Sequence, residues 1–425
     1  MNCDSVNTND VSREEVNIVN ESVSPCTLQV RRFCEPVLVR NANGFAIEFV
    51  GQTEPRDPEL DNLAAFLSSW GHWGPTWNPR GLVLLPSEIE EYGTRQELRA
   101  ETLAFINKYV DLPDGMDVVC AVFVELSWLY DAFETTPYLC FRHPRPAMGK
   151  TRALKTIGAL MRRPICISGD STSASYRRII SNLGGSLLVD EADFCQSMHS
   201  DLIKMLKSGF QQTGHSLINV QTKDGDWVPT PFYTYGPKVI AHHFVFGDSA
   251  LQSRFIDCFM KRRTRDIPTT IDALQFDREA LSLRNKYLAI RRDYLPTLAP
   301  RLDAQSKLLN DRTNQIGLPL LTLALDPTES RVLVETLRSI QDRRNDALQT
   351  SEEGMIVAVA LEVAKDAQRI HLAMVAHRLV AHGITPRQVG KVLGELGLKI
   401  KHGRDGNYAV VNADAKESMA GFLNQ

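Results

Sequence analysis

The stretch RHPRPAMGKTRAL, residues 142–154, ends in Gly149, Lys150 and Thr151, three residue types that together handle phosphate. A glycine lets the backbone approach an oxyanion, a lysine reaches the β and γ oxygens of a nucleotide, and a threonine hydroxyl can ligand magnesium. Counting back through the spacing G-x-x-x-x-G-K-[ST] puts Pro144 where the first glycine belongs. Proline's missing amide matters only if that position must donate to phosphate. The loop of Pro144, Arg145, Pro146, Ala147, Met148, Gly149, Lys150 and Thr151 therefore reads as a variant nucleotide loop. Downstream, GGSLLVDEADF carries Leu187, Leu188 and Val189 into Asp190 and Glu191. An apolar run that ends in two carboxylates suits magnesium chemistry, with Asp190 and Thr151 as the metal partners and Glu191 polarising the attacking water.

These residues need a strand before the loop, a helix after it and a second strand behind the acids. PYLCFRH predicts a buried strand from Tyr138 to about Arg142, and TRALKTIGALMRR spaces Leu154, Ile157, Leu160 and Met161 at helical intervals. A helix start offers free amides and the positive end of its dipole to an anion. Strands in a parallel sheet present ligand groups at their carboxyl ends, which is where Asp190 would emerge. From Arg95 to about Ala132 two helices lead in, and strands and helices then alternate through RPICIS, ASYRRIISNLG, SLLVDE, SDLIKMLKSGF and PKVIAHHFVF to IDCFMKRR. The pattern predicts an α/β fold with a mainly parallel sheet, whose fourth strand ends in His242-His243.

At 425 residues and 43% hydrophobic content the chain can bury a large core and suggests two to four domains. No apolar run approaches the roughly 20 residues that span a bilayer, and the N-terminus lacks a signal pattern, so a cytoplasmic protein without membrane contact is expected. Eight cysteines include no C-x-x-C pair, which points to reduced thiols and no zinc. A net charge of -3 excludes wholesale attraction to nucleic acid and leaves any DNA contact to local patches.

The stretch from FINKYVDLPDG through PYLCF, MGKTRAL, LLVDEAD, GPKVIAHHF, DSALQSRF and DIPTTID to EALSLRNKYLAIRRDYL resembles the AAA+ (ASCE, P-loop) ATPases of phages, plasmids and integrated elements, often primase-associated or helicase-like. It covers about half the chain, and it departs from the family at Pro144 and His242-His243. The resemblance implies ATP and Mg²⁺ as cofactors, Lys150, Glu191 and Arg254 in catalysis, and His242 or His243 as a γ-phosphate sensor. Arg254 in SALQSRF would reach the neighbouring subunit's nucleotide, which implies a homo-oligomeric ring such as a hexamer. A helical lid is expected after Ile267, with Arg284, Arg291 and Arg292 either near nucleotide or on solvated faces.

The C-terminus reads independently. ITPRQVGKVLGELGLKIKHGRDGNYAVV opens with Thr385 as N-cap, Pro386 at the first helical position and Gln388 completing a capping box, with Val389, Val392, Leu393 and Leu396 on one face. A hairpin turning at Asp405-Gly406 follows, and the helices of EGMIVAVALEVAKD and RIHLAMVAHRLV precede it, the order of a winged helix. Arg387, Lys391, Lys399, Lys401 and Arg404 stand against Glu395 in the helix and Asp405 at the turn, enough to neutralise several DNA phosphates. Winged helices also bind proteins, so both partners stay open. The expected organisation is a polar tail 1–26, a small α/β module 27–94 with a hairpin about Asn43-Gly44, an ATPase core 95–266, a helical lid 267–348 and a winged-helix domain 349–425. Trp70, Trp73 and Trp77 in the small module could stack on bases, though packing is the commoner role. The function expected is an ATPase acting on DNA, a helicase-like motor or loader in mobile-element replication; the alternative is a DNA-binding regulator that uses nucleotide as a switch with slow or no hydrolysis. A small-molecule kinase would leave Glu191, Arg254 and the wing unused.

Overall fold

Short apolar runs bounded by polar or glycine-rich segments become the strands of one central sheet. The computed structural model describes residues 34–41, 44–51, 63, 65–68, 73–74, 82–168, 173–190, 199–221, 225–243, 248–365, 367–404 and 406–423. Its strands are β1 (Cys34–Asn41), β2 (Gly44–Gly51), β3 (Trp73–Gly74), β4 (Val83–Leu84), β5 (Tyr138–Arg142), β6 (Pro164–Ser168), β7 (Ser186–Asp190), β8 (His215–Gln221), β9 (Trp227–Tyr233), β10 (Lys238–His242), β11 (Phe255–Phe259), β12 (Arg369–His371), β13 (Ile400–Gly403) and β14 (Gly406–Val410). Its helices are α1 (Arg95–Tyr109), α2 (Met116–Leu129), α3 (Lys150–Gly158), α4 (Ser173–Leu183), α5 (His199–Ser208), α6 (Ser249–Gln252), α7 (Ala273–Tyr294), α8 (Asp311–Leu323), α9 (Pro327–Gln349), α10 (Glu352–Val363), α11 (Leu372–Arg378), α12 (Pro386–Glu395) and α13 (Ala413–Leu423).

The central sheet runs β11-β5-β10-β7-β6-β4-β3. Strands β11 to β6 are parallel, β4 joins them antiparallel, and β3 runs parallel to β4. Strands β5 and β6 follow each other in sequence but not in space. Strand β10 lies between β5 and β7, with Ile240 opposite Cys140 on one side and Val189 on the other. The carboxyl ends of β5, β10 and β7 thus meet at one edge, the place where a parallel α/β sheet takes its ligand. Strands β5 and β10 are buried along their whole length, as strands covered on both faces must be. Helix α3 lies directly on them, and a Cβ on Gly158 would come 2.2 Å from Leu188 Cδ1, so the glycine permits the close approach.

Helix α3 is shorter than its sequence predicts. The chain turns after Gly158, and Leu160 and Met161 are buried beyond the helix end. That turn delivers Arg162 and Arg163 to Glu35, a carboxylate on β1 with 2% exposure, at 2.5 and 2.7 Å, and Arg291 of α7 reaches it at 2.7 Å. Burial alone would raise the Glu35 carboxyl; the Arg162, Arg163 and Arg291 guanidiniums overcome it and hold the group far below the usual carboxylate range. The β1–β2 hairpin is therefore tied into the main core, to which Val37 and Leu38 also belong. Its register pairs Asn41 with Gly44, so the strands close around residues 42 and 43, one position earlier than the sequence suggests; both lie outside the described residues.

Helices α7, α8 and α9 share that core through Tyr287, Leu320 and Leu337. Arg99 bridges Glu125 of α2 and Glu329 of α9, linking three helices. The three candidate arginines of α7 are each engaged by other residues of the fold. Arg284 is 1% exposed and donates to the Ala159 carbonyl at 2.6 Å, Arg291 is held by Glu35 and Asp131, and Arg292 pairs at the surface with Asp293. A second core gathers Ile356, Val375, Val389, Leu393, Ala409 and Met419. There α10, α11 and α12 pack with a three-stranded sheet, β12-β14-β13, because Arg369–His371 pairs with β14 where the sequence predicts helix. Burial of Ile370 against Ala409 outweighs its helical surroundings.

Between α5 and β10 the chain forms the β8–β9 hairpin, which exposes Leu217 and Trp227 at 68% and 64%. Its base is fixed by the buried Lys238, whose ammonium donates to the carbonyls of Gly209, Thr234 and Gly236 at 2.9 to 3.2 Å. No described helix is long and apolar enough to cross a membrane, and the described cysteines Cys120, Cys140, Cys166 and Cys258 are free thiols.

Candidate functional site

Strand β5 ends at Arg142, and seven positions later the chain enters α3 through Gly149, whose φ of +83° is left-handed. Glycine suits this position for its backbone: a Cβ there would meet only Met260 Cε, at 3.5 Å, but would be strained by the dihedral. Ala147, at φ +59°, is also left-handed, at a cost of about 1 kcal/mol. The loop takes its two reversals at 147 and 149, so position 144 does not need glycine's freedom, which explains why Pro144 is compatible with it. No side chain caps α3, leaving the first amides of a helix for an anion.

Lys150 is 8% exposed, and its ammonium lies 3.2 Å from the His143 carbonyl, 3.1 Å from the Arg145 carbonyl and 3.5 Å from His243 Nδ1. The Thr151 hydroxyl donates to Asp190 Oδ1 at 2.9 Å. Residues from the loop helix, β7 and the end of β10 thus converge as the sequence suggests. They line a cavity of about 830 Å³ together with Pro146, Ala147, Met148 and Gly149. Pro144, Arg145 and His242 do not line it. The side chain of Pro144 is exposed, Arg145 contributes its carbonyl to Lys150, and His242 is buried at the end of β10 with its carbonyl taken by His143 N–H. Of the two candidate sensors, His243 is the one at the cavity. Glu191 lies outside the described residues.

Several lining residues are invisible to motif reading. Lys155, Lys261, Arg262 and Arg263 make the wall strongly basic, against Asp111 and Asp190 among the described residues. Asp111 is itself engaged: burial raises its carboxyl, but the Arg265 guanidinium and the amides of Thr264 and Arg265 bring it down to about 2. Arg152 donates to the Tyr109 carbonyl and to those of Pro268 and Thr269, which draws the end of α1 and residues 267–271 over the cavity. Val110, Ile267, Ile271 and Phe276 give the cavity an apolar lining there. The one available signal was position, since Lys261-Arg262-Arg263 directly follows the carboxyl end of β11.

The donor set fits magnesium with a nucleotide. Among the described residues no group of three His, Cys, Asp or Glu side chains could hold a metal alone. A hydroxyl and a carboxylate 2.9 Å apart suit an ion that keeps phosphate oxygens and water as its other ligands. Thr151 and Asp190 could hold it, Lys150 and the loop amides the phosphates, and the apolar lining a flat base.

Arg254 sits at the opposite edge of the sheet. Its carbonyl accepts from Tyr138 N–H at the start of β5, its guanidinium donates to the Ala250 carbonyl, and it lies 5.4 Å from the Phe210 ring centroid. In the C-terminal unit, Arg387, Lys391, Lys399, Lys401 and Arg404 are all exposed. Lys391 has only the loose Glu395 pair at 3.9 Å, while Val389 and Leu393 are fully buried and Val392 and Leu396 partly so. Basic and apolar faces of α12 are thus separate. The β8–β9 hairpin, unanticipated from sequence, is signalled by alternation on either side of Asp224-Gly225.

No family model matches this chain. No curated protein matches it either. Among solved structures it is similar to the NrS-1 C-terminal region, residues 305–718, at 11% identity over 86% of this chain and 92% of that one, with a TM-score of 0.36. It is similar at 12% identity to a full-length MCM homolog from Methanopyrus kandleri, over 69% and 64% of the two chains, TM-score 0.36. An active helicase, SCCmec type IV Cch, matches at 13% identity over 90% and 80%, again with a TM-score of 0.36. TM-scores of this size mark loose superpositions, and the functional reading rests on the site itself.

Proposed function

We propose that the chain is an AAA+ ATPase acting on DNA, a helicase-like motor or loader in the replication of a mobile element. The observation that carries the reading is the meeting of Lys150, the Thr151–Asp190 pair and His243 at the carboxyl ends of three adjacent parallel strands. In this reading Lys150 leaves the His143 and Arg145 carbonyls for the β and γ oxygens of ATP, and Thr151 and Asp190 hold Mg²⁺. When bound, the ion offsets charge that develops on the transferring phosphoryl group. Glu191, next in chain to Asp190, orients the attacking water, and His243 senses the γ-phosphate beside Lys150. Arg254, remote from its own chain's Lys150, serves the site of a neighbouring subunit in a ring. Residues 95–266 act as the ATPase core, 267–348 as its lid and 349–425 as a winged helix on DNA, with exposed Trp227 of the hairpin offering a second surface that can stack on bases.

The test is ATP turnover without DNA, with single-stranded DNA and with duplex. A motor is stimulated by at least one form. Turnover that stays near zero in all three, with ATP bound, identifies a nucleotide switch and rejects the motor. A second expectation concerns the wing. Replacing Lys391, Lys399 and Lys401 by alanine should leave thermal unfolding and DNA-free ATPase unchanged, because all three are exposed and weakly partnered. DNA affinity should fall and the slope of log K against log salt should shrink by up to about 0.9 per lost duplex phosphate contact, measured by fluorescence anisotropy. An unchanged slope would place the DNA surface elsewhere.

A further inference from the structure

The ring of Phe210, 1% exposed, carries two guanidiniums, Arg254 at 5.4 Å and Arg312 at 4.8 Å from its centroid. Arg312 opens α8 and is aimed by Ser253 Oγ, which accepts its Nε at 3.0 Å, and by Gln315, so the two arginines are coupled through adjacent residues of one turn. Among the described residues neither is ion-paired. The acids nearby are committed elsewhere: Asp248 to Lys207 at 2.5 Å and to the Leu251 amide, and Asp257 to Arg344 at 2.6 Å and to Gln252. Arg254 Nε is buried without a hydrogen-bond partner. Burial, followed by the charges of Arg254 and Arg344, pushes the Arg312 guanidinium down to about 10. Two forks of like charge gathered on one ring without a carboxylate form an incomplete site that an oxyanion would complete. The segment leading into α8 exposes Leu302 and Leu308 at 69% and 56%.

We propose that Arg312 acts with Arg254 as a second trans-acting arginine, the pair clamping the terminal phosphate of a nucleotide held by the adjoining subunit. The proposal rests on the reading of Arg254 as a residue that works across subunits. Planar forks with fixed donors suit a phosphoryl group whose charge spreads over several oxygens, which a lysine cannot match.

The experiment uses the full chain carrying Arg312→Gln, which keeps side-chain cover over Phe210, and Arg312→Lys. Both are expected to bind a fluorescent ATP analogue as wild type does, to keep its unfolding temperature, and to lose at least about a hundredfold in turnover, within the range such arginines supply. Mixing Arg312→Gln with Lys150→Ala, an otherwise intact chain lacking its own phosphate lysine, should restore turnover in assemblies shown by light scattering to form. Wild-type turnover in Arg312→Gln, or wild-type turnover in Arg312→Lys, overturns the clamp. If Arg254→Ala is rescued by Lys150→Ala and Arg312→Gln is not, Arg312 does not act across the interface and the proposal fails while the reading of Arg254 stands. If neither is rescued in mixed assemblies, action across subunits fails as a whole.

Discussion

A Lys150→Ala chain is expected to lose ATP binding by about 2–3 kcal/mol, one to two orders of magnitude in Kd, and to show no measurable hydrolysis. The magnitude is that of a charged hydrogen-bonding group removed from a largely buried position. The fold should tolerate the change, because the ammonium reaches the loop's own His143 and Arg145 carbonyls and His243 at the rim of the cavity. Calorimetric titration and a phosphate-release assay read the two effects. Unchanged affinity would remove the loop from nucleotide binding, whatever the rest of the chain does.

The second large effect is on stability. Glu35→Ala leaves Arg162, Arg163 and Arg291 without their shared carboxylate in the interior, and breaking a buried pair in this way costs about 3–5 kcal/mol. Denaturant unfolding should show a midpoint far below wild type. Sign follows from the lowered carboxyl: the stabilisation is present above the unfolded Glu value near 4.5 and is lost as pH falls below it, so the gap between wild type and variant should narrow in acid. A midpoint within error of wild type at neutral pH would show that the β1–β2 hairpin does not depend on this ion cluster.

What the sequence made legible was local. Tyr138–Arg142, Ser186–Asp190 and the helix Pro386–Glu395 are each specified by a few consecutive residues, an apolar run or a capping box, and the structure has them at or within one residue of the expected bounds. Part of the cavity's polar set was legible for the same reason, since Gly149-Lys150-Thr151 begin one element that the sequence defines and Asp190 ends another, whereas Lys155 and Lys261-Arg262-Arg263 carry no motif. The rest depended on contacts between distant residues. Glu35 meets Arg291 across 256 residues of chain, and no periodicity announces it. The apolar lining of the cavity, Val110 with Ile267, Ile271 and Phe276, is assembled by Arg152 from two segments far apart in the chain. Arg369–His371 becomes a strand because β14 is there to pair with it, although the surrounding residues read as helix. Pro144 marks the loop as a variant of the motif, and the backbone shows why it is accommodated: the left-handed residues are Ala147 and Gly149 instead.

The most direct test of the central claim, that the edge formed by β5, β10 and β7 holds Mg·ATP, is calorimetric titration of ATP with and without Mg²⁺ into wild type and Asp190→Asn. Thr151 and Asp190 present their oxygens to each other at 2.9 Å, so magnesium should tighten ATP binding in wild type at least tenfold, about 1.4 kcal/mol, and should give little gain in Asp190→Asn. Equal magnesium dependence in both proteins would contradict the site.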